Sequence, residues 1–195
     1  MTRAVALVCT LNASPAPSSS QLLADQIMTE LTGLGVSGET IRIADHEVRP
    51  GIARDTGDGD AWPALREKAM EADIVLLSTP IWLGHPSSLC QRVLERLNAD
   101  ISETDDQGRQ LTYGKVGLAA VVGKEDGAHK VSADLFQGFS LAPGAVTYWV
   151  GEAQHGTDYQ DLERTPESVT STTRTLAANA VHLSRLLNDD PYPPS

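Results

Sequence analysis

Three short stretches of this chain carry almost no polar side chains, and they constrain its fold more than any other feature. They are Ala4-Val5-Ala6-Leu7-Val8-Cys9, then Asp73-Ile74-Val75-Leu76-Leu77-Ser78-Thr79, then residues 116–122, VGLAAVV. A strand with one face in water alternates apolar and polar residues, whereas a strand covered on both faces does not. Each run is therefore predicted to be a strand of a parallel sheet held between two helical layers. Thr40-Ile41-Arg42-Ile43 alternates, so residues 39–44 predict a strand nearer the edge, and residues 145–150 predict a fifth. Between the strands, apolar residues recur at helical spacing. Leu22, Leu23, Ile27 and Leu31 mark a first helix stopped by Gly33 and Gly35, and residues 62–72, 87–98 and 131–139 mark three more. A last helix opens from Thr165 with Pro166 and Glu167 in its first turn, runs through Leu176, Ala180, Leu183 and Leu187, and stops at Asn188-Asp189-Asp190-Pro191. Residues 45–60 read as loop, and the third strand is expected to end at Pro80. Alternation of this kind calls for an α/β fold with right-handed crossovers and helices on both faces of the sheet.

The 195 residues suffice for one domain, expected over 1–190, with 191–195 as a frayed tail. A net charge of −11 leaves no basic stripe to displace counterions, which excludes a nucleic-acid surface. No apolar run approaches the roughly 20 residues that span a bilayer, and residues 4–9 lack the flanks of a signal peptide. A cytoplasmic location without membrane insertion is the expectation. Two cysteines, Cys9 and Cys90, are too few for a disulfide framework or a four-cysteine metal site, and are read as small buried residues. Residues 99–114 form an acidic connection without the spacing of a calcium loop, hence a solvated excursion.

In a parallel sheet of this kind, ligands bind beyond the carboxyl ends of the strands, where strand order reverses. Three loops leave those ends. The first, Thr10-Leu11-Asn12-Ala13-Ser14-Pro15-Ala16-Pro17-Ser18-Ser19-Ser20, has no glycine, which rules out the dinucleotide fingerprint and the Walker loop. It offers hydroxyls at a helix N-terminus, suited to one phosphate monoester, and no Lys or Arg lies between Arg3 and Arg42. The same serines would equally serve as helix caps. The second loop, Thr79-Pro80-Ile81-Trp82-Leu83-Gly84-His85-Pro86-Ser87-Ser88, puts an aromatic and apolar residues where a planar ligand would meet the sheet. Trp82 suits ring contact, a subunit contact or packing under the loop, and His85 a surface role at the helix start. The third, Val122-Gly123-Lys124-Glu125-Asp126-Gly127-Ala128-His129, has two glycines for close approach to a ring. There Asp126 suits an N-cap, and His129 an exposed first-turn position.

These loops, with Tyr148-Trp149-Val150-Gly151-Glu152-Ala153 further on, resemble the NAD(P)H-dependent FMN reductase branch of the flavodoxin-like superfamily over almost the whole chain. The resemblance implies a three-layer flavodoxin-like sandwich with five parallel strands in the order 2-1-3-4-5. It implies FMN bound without a covalent link, its phosphate at Thr10, Ser14, Ser18, Ser19 and Ser20. Pro80, Ile81, Trp82, Leu83 and Gly84 would line the ring, and Gly123, Asp126, Gly127 and His129 would close the pocket. Many members carry Gly-Ser-x-Arg in the first loop, whereas Ala13-Ser14-Pro15-Ala16 here has no arginine. NAD(P)H would be the co-substrate and a quinone, flavin or similar small molecule the electron acceptor, with the flavin carrying the reaction and no catalytic side chain or metal required. Family members are often homodimers or homotetramers, with Trp82, Tyr148 and Trp149 as candidate subunit contacts. Two alternatives stay open: an electron-transfer flavodoxin without NAD(P)H activity, and a binding module that keeps the fold without the cofactor.

Overall fold

A computed structural model describes residues 1–101, 103–124, 127–139 and 158–193. Its centre is a twisted parallel sheet. β1 (Arg3–Val8) pairs on one side with β2 (Ser37–Arg42) and on the other with β3 (Ile74–Trp82), whose far side pairs with β5 (Val116–Val122). The parallel order is thus β2-β1-β3-β5, and a two-residue β4 (His85–Pro86) folds back antiparallel on the end of β3. The strand expected at 145–150 lies outside the described residues.

The two-residue period of a strand divides the sheet's side chains into two cores. Ala4, Ala6, Val8, Leu76, Leu118 and Ala120 face α1 (Ser19–Gly33) and α5 (Glu167–Asp189). Val5, Leu7, Val75, Leu77, Ala119 and Val121 face α2 (Trp62–Glu71), α3 (Ser88–Leu97) and α4 (Ala128–Phe139). Every residue of β5 is buried, and only Arg3 of β1 is exposed, as their uninterrupted apolar runs require. β2 is buried only at Ile41, in keeping with its edge position. Cys9 and Cys90 are buried free thiols in the second core.

β3 differs from expectation by running through Pro80 to Trp82. The reason lies in which neighbour each residue faces. The Ser78 carbonyl accepts from the Cys9 amide at 2.7 Å, so Ser78 and, two residues on, Pro80 face the β1 side. β1 has ended at Val8, so the N–H that proline lacks costs no ladder bond there.

Residues 45–60 are loop, as expected, but a loop nailed to α3 from inside. Arg96, fully buried, pairs with Asp60 at 2.7 Å and donates to the carbonyls of Arg49 and Arg54 at 2.9 and 3.1 Å. Its guanidinium also stands 5.7 Å from the Trp62 ring centroid. Burial by itself would raise the Asp60 pKa. Arg96, the Thr56 hydroxyl and the amides of Trp62 and Thr56 outweigh burial and hold the carboxyl well below the usual range. A second buried carboxylate, Asp100, takes Arg66 and Arg54. No helix among the described residues is long and apolar enough to cross a membrane.

Candidate functional site

Because β1, β3 and β5 run parallel, their carboxyl ends and the loops that leave them meet at one edge of the sheet. A cavity of about 300 Å³ opens there. Thr10, Leu11, Asn12 and Pro17 to Ser20 form one wall, Pro80 to Trp82 a second, and Val122 to Lys124 a third.

The first wall ends on the start of α1. Ser18 is the N-cap, its Oγ accepting from the Gln21 amide at 3.2 Å. The amides of Ser19 and Ser20 find no acceptor among the described residues, so the positive end of the helix presents two unused donors toward the cavity. Ser14 is turned elsewhere: its amide and hydroxyl donate to Asp45 at 2.6 and 2.7 Å. These two hydrogen bonds hold the exposed Asp45 carboxyl below its ordinary pKa.

The second wall is a tight hairpin. Ile81 pairs with Pro86 and Trp82 with His85, leaving Leu83 and Gly84 as a two-residue turn with φ of +50° and +74°. Two successive positive φ values make the turn type that matches the twist of flanking strands. Gly84 adopts this readily; Leu83 does so at a cost of order 1–2 kcal/mol, with an apolar side chain 88% exposed. The hairpin is anchored from below: the Thr79 hydroxyl accepts from the Ser87 amide at 3.0 Å, and the Ser87 hydroxyl donates to the Cys9 carbonyl at 2.5 Å. Ser87 also caps α3. The third wall fits this hairpin closely. A Cβ on Gly123 would lie 2.8 Å from Ile81, and one on Gly127 would lie 2.9 Å from the Cα of Gly84.

A fourth wall comes from a single helical turn, Tyr159–Asp161, far along the chain. Asp158, Tyr159 and Gln160 line the cavity. Three contacts hold them: Lys124 to Asp158 at 3.0 Å, the Tyr159 hydroxyl to Gln26 at 2.6 Å, and the Gln160 amide to the Ser19 Oγ at 3.3 Å. Burial raises the Tyr159 pKa, so the phenol stays a donor.

Of the residues singled out from sequence, Thr10, Ser18, Ser19, Ser20, Pro80, Ile81, Trp82 and Gly123 line the cavity. Leu83, Gly84 and Gly127 shape its rim without lining it, while His129 lies in the first turn of α4. Ser14 is bound to Asp45, and Asp126, Tyr148 and Trp149 lie outside the described residues. Sequence reading missed Lys124, Asn12 and residues 158–160; the last carry no motif, and only their capture by α1 brings them in. A larger apolar cavity of about 400 Å³ lies near the amino ends of β3 and β5, among Met70, Val75, Leu94, Leu97 and Ile101. Its lysine, Lys115, spends its ammonium on the carbonyls of Met70 and Ala72 at the end of α2.

A family model described as NADPH-dependent FMN reductase matches residues 6–156. An 8-demethyl-8-aminoriboflavin-5'-phosphate synthase of Streptomyces davaonensis is 33% identical, over 97% of this chain and 80% of its own length. A Mycobacterium bovis protein named divalent metal cation transporter MntH is 32% identical over 95% of this chain, which spans only 29% of that protein. The crystal structure of RosB with the bound intermediate 8-demethyl-8-formylriboflavin-5'-phosphate superposes with a TM-score of 0.83 at 29% identity, covering 98% of this chain and 82% of RosB. Solved flavodoxins also align, and the fold is flavodoxin-like.

Proposed function

The chain belongs to the NADPH-dependent FMN reductase family, and from that premise we propose that its carboxyl-end cavity binds FMN and works as a flavin-dependent oxidoreductase. One observation carries this reading: three loops meet at a cavity bounded by a helix start whose two amide donors have no acceptor among the described residues. The donor set suits a phosphate monoester, and the close approach of Gly123 to Ile81 leaves a flat apolar edge for a ring.

Ser18, Ser19, Ser20 and Thr10 would hold the phosphate. Pro80, Ile81, Trp82, Leu83 and Gly84 would flank the ring, with Gly123, Asp126, Gly127 and His129 on its other side. The bound flavin supplies two-electron chemistry, accepting hydride from NAD(P)H and returning electrons to a quinone, free flavin or similar acceptor. The chain's own task is to fix the ring by backbone groups of the hairpin, exclude water beneath it with Ile81, and leave a face open for co-substrates to stack. Trp82, 55% exposed, and Leu83 stand at that opening and favour a second subunit covering it, in a homodimer or homotetramer. A cytoplasmic location is part of the same proposal, and no helix among the described residues is long and apolar enough to cross a membrane.

The test is the absorbance of the purified or FMN-reconstituted protein in the flavin bands, followed by NAD(P)H oxidation with a quinone or free FMN. A colourless protein that takes up no FMN refutes the proposal. Flavin bands without NAD(P)H oxidation favour an electron-transfer flavodoxin. Sedimentation showing only monomer at micromolar concentration removes the shared-site claim.

A second reading is favoured by the likeness to the Streptomyces davaonensis synthase and to RosB: the flavin phosphate is itself the substrate. Mass spectrometry of the flavin recovered after incubation separates the two, since a cofactor returns with its mass unchanged.

A further inference from the structure

The first loop meets an anion with hydroxyls and amides alone, for none of residues 4–41 is Lys or Arg. Lys124 lines the cavity but is paired with Asp158 at 3.0 Å; the cation that contacts the first loop itself comes from the next strand. Arg42, the last residue of β2, donates from Nη1 to the Ala16 carbonyl at 2.8 Å and from Nε to the Gln21 side chain at 3.2 Å. Its Nη2 has no partner among the described residues. Ala16 stands where the Gly-Ser-x-Arg pattern would place its arginine, so a guanidinium contacts the very residue that lacks one. Drawing the Ala16 carbonyl onto Arg42 also commits that oxygen, which would otherwise be available to repel an anion. Three residues on, Asp45 has the opposite effect: it occupies both donors of Ser14 and adds a negative charge to the same loop.

We propose that Arg42 is a positioning residue for phosphate recognition, supplying from β2 the charge that the loop lacks, with Asp45 as its counterweight. Together they set how strongly the site prefers FMN over riboflavin, the same ring without the phosphate. This rests on the FMN reading above.

The experiment measures FMN and riboflavin affinities by fluorescence titration for the wild type, Arg42→Gln and Asp45→Asn. Glutamine keeps a donor for the Ala16 carbonyl and removes the charge. FMN affinity should fall about tenfold while riboflavin affinity stays within about twofold. Asp45→Asn, which leaves Ser14 one acceptor instead of two and removes the negative charge, should shift the FMN-to-riboflavin ratio about threefold in FMN's favour. Parallel loss of both ligands in Arg42→Gln, or a ratio unmoved or lowered in Asp45→Asn, overturns the inference. The asparagine variant tests the charge balance at the loop independently of whether the glutamine variant folds. A wild type that binds neither ligand instead overturns the FMN reading itself.

Discussion

Replacing Gly127 by alanine tests whether the hairpin after β3 and the loop after β5 form one unit around the ring. Gly127 has φ of +123°, a region that L side chains avoid at a cost of order 1–3 kcal/mol. Its new Cβ would also sit 2.9 Å from the Gly84 Cα and 3.6 Å from the Gly84 carbonyl carbon. Both are backbone atoms and cannot rotate away, so the hairpin must move by several tenths of an ångström, and overpacking of this kind adds about 1–3 kcal/mol. We expect a stability loss of about 3 kcal/mol in urea unfolding, and FMN bound roughly tenfold more weakly because Pro80 to Gly84 shift with the strain. Gly57→Ala separates the two contributions: φ there is +99° but a Cβ would meet nothing within 4 Å. It should lose about 1–2 kcal/mol and leave FMN binding unchanged. If Gly127→Ala is no more destabilising than Gly57→Ala, or keeps full FMN affinity, the loops are not coupled and the account of the second and third walls is wrong.

Two further outcomes follow from the same contacts. The Asp60 pKa is depressed in the fold, so the stabilisation it gives is complete above the unfolded-state value near 4 and fades as pH falls below it. Acid unfolding should show that slope, and Asp60→Asn should lose it while costing about 3–5 kcal/mol at neutral pH by leaving Arg96 uncompensated; equal stability in both proteins at pH 7 would contradict this. Trp82→Ala should leave urea stability within about 0.5 kcal/mol, since the side chain is largely exposed. It should raise the KM for NAD(P)H or acceptor several-fold, and an unchanged KM for both would assign Trp82 no part in stacking.

β1, β3 and β5 were legible because a strand buried on both faces has no polar residue to hide behind, and their carboxyl ends pointed to the right loops. The end of β3 was misjudged because proline's effect depends on the neighbour it faces, and β1's early stop cannot be seen from residues 74–82. Ser14 reads like Ser18 to Ser20 in sequence, yet its donors go to Asp45, 31 residues away on a turn that carries no signature. Arg96 is not singled out by the sequence: it shares a face of α3 with Val93, but its partners, carbonyls of the 45–60 loop and Asp60, are set by the fold. Asp60, two residues before the Trp62-Pro63 helix start, accepts the Trp62 amide, but in sequence it reads only as part of the 45–60 loop. The wall at 158–160 was invisible because tethering to Gln26 and Ser19 is a tertiary fact.

That last wall has a consequence for the order in which the protein is made. When Lys124 has left the ribosome, the hydroxyl loop, the hairpin and the glycine at the end of β5 are already present, but the wall around Tyr159 is not. At about 5–20 residues per second, the intervening chain takes roughly 2–7 s to emerge. Through that interval a flavin phosphate would meet three sides of its site and an open flank. Firm retention therefore belongs to the chain only after Tyr159 has hooked onto α1, and a nascent chain stalled before that point should exchange flavin freely.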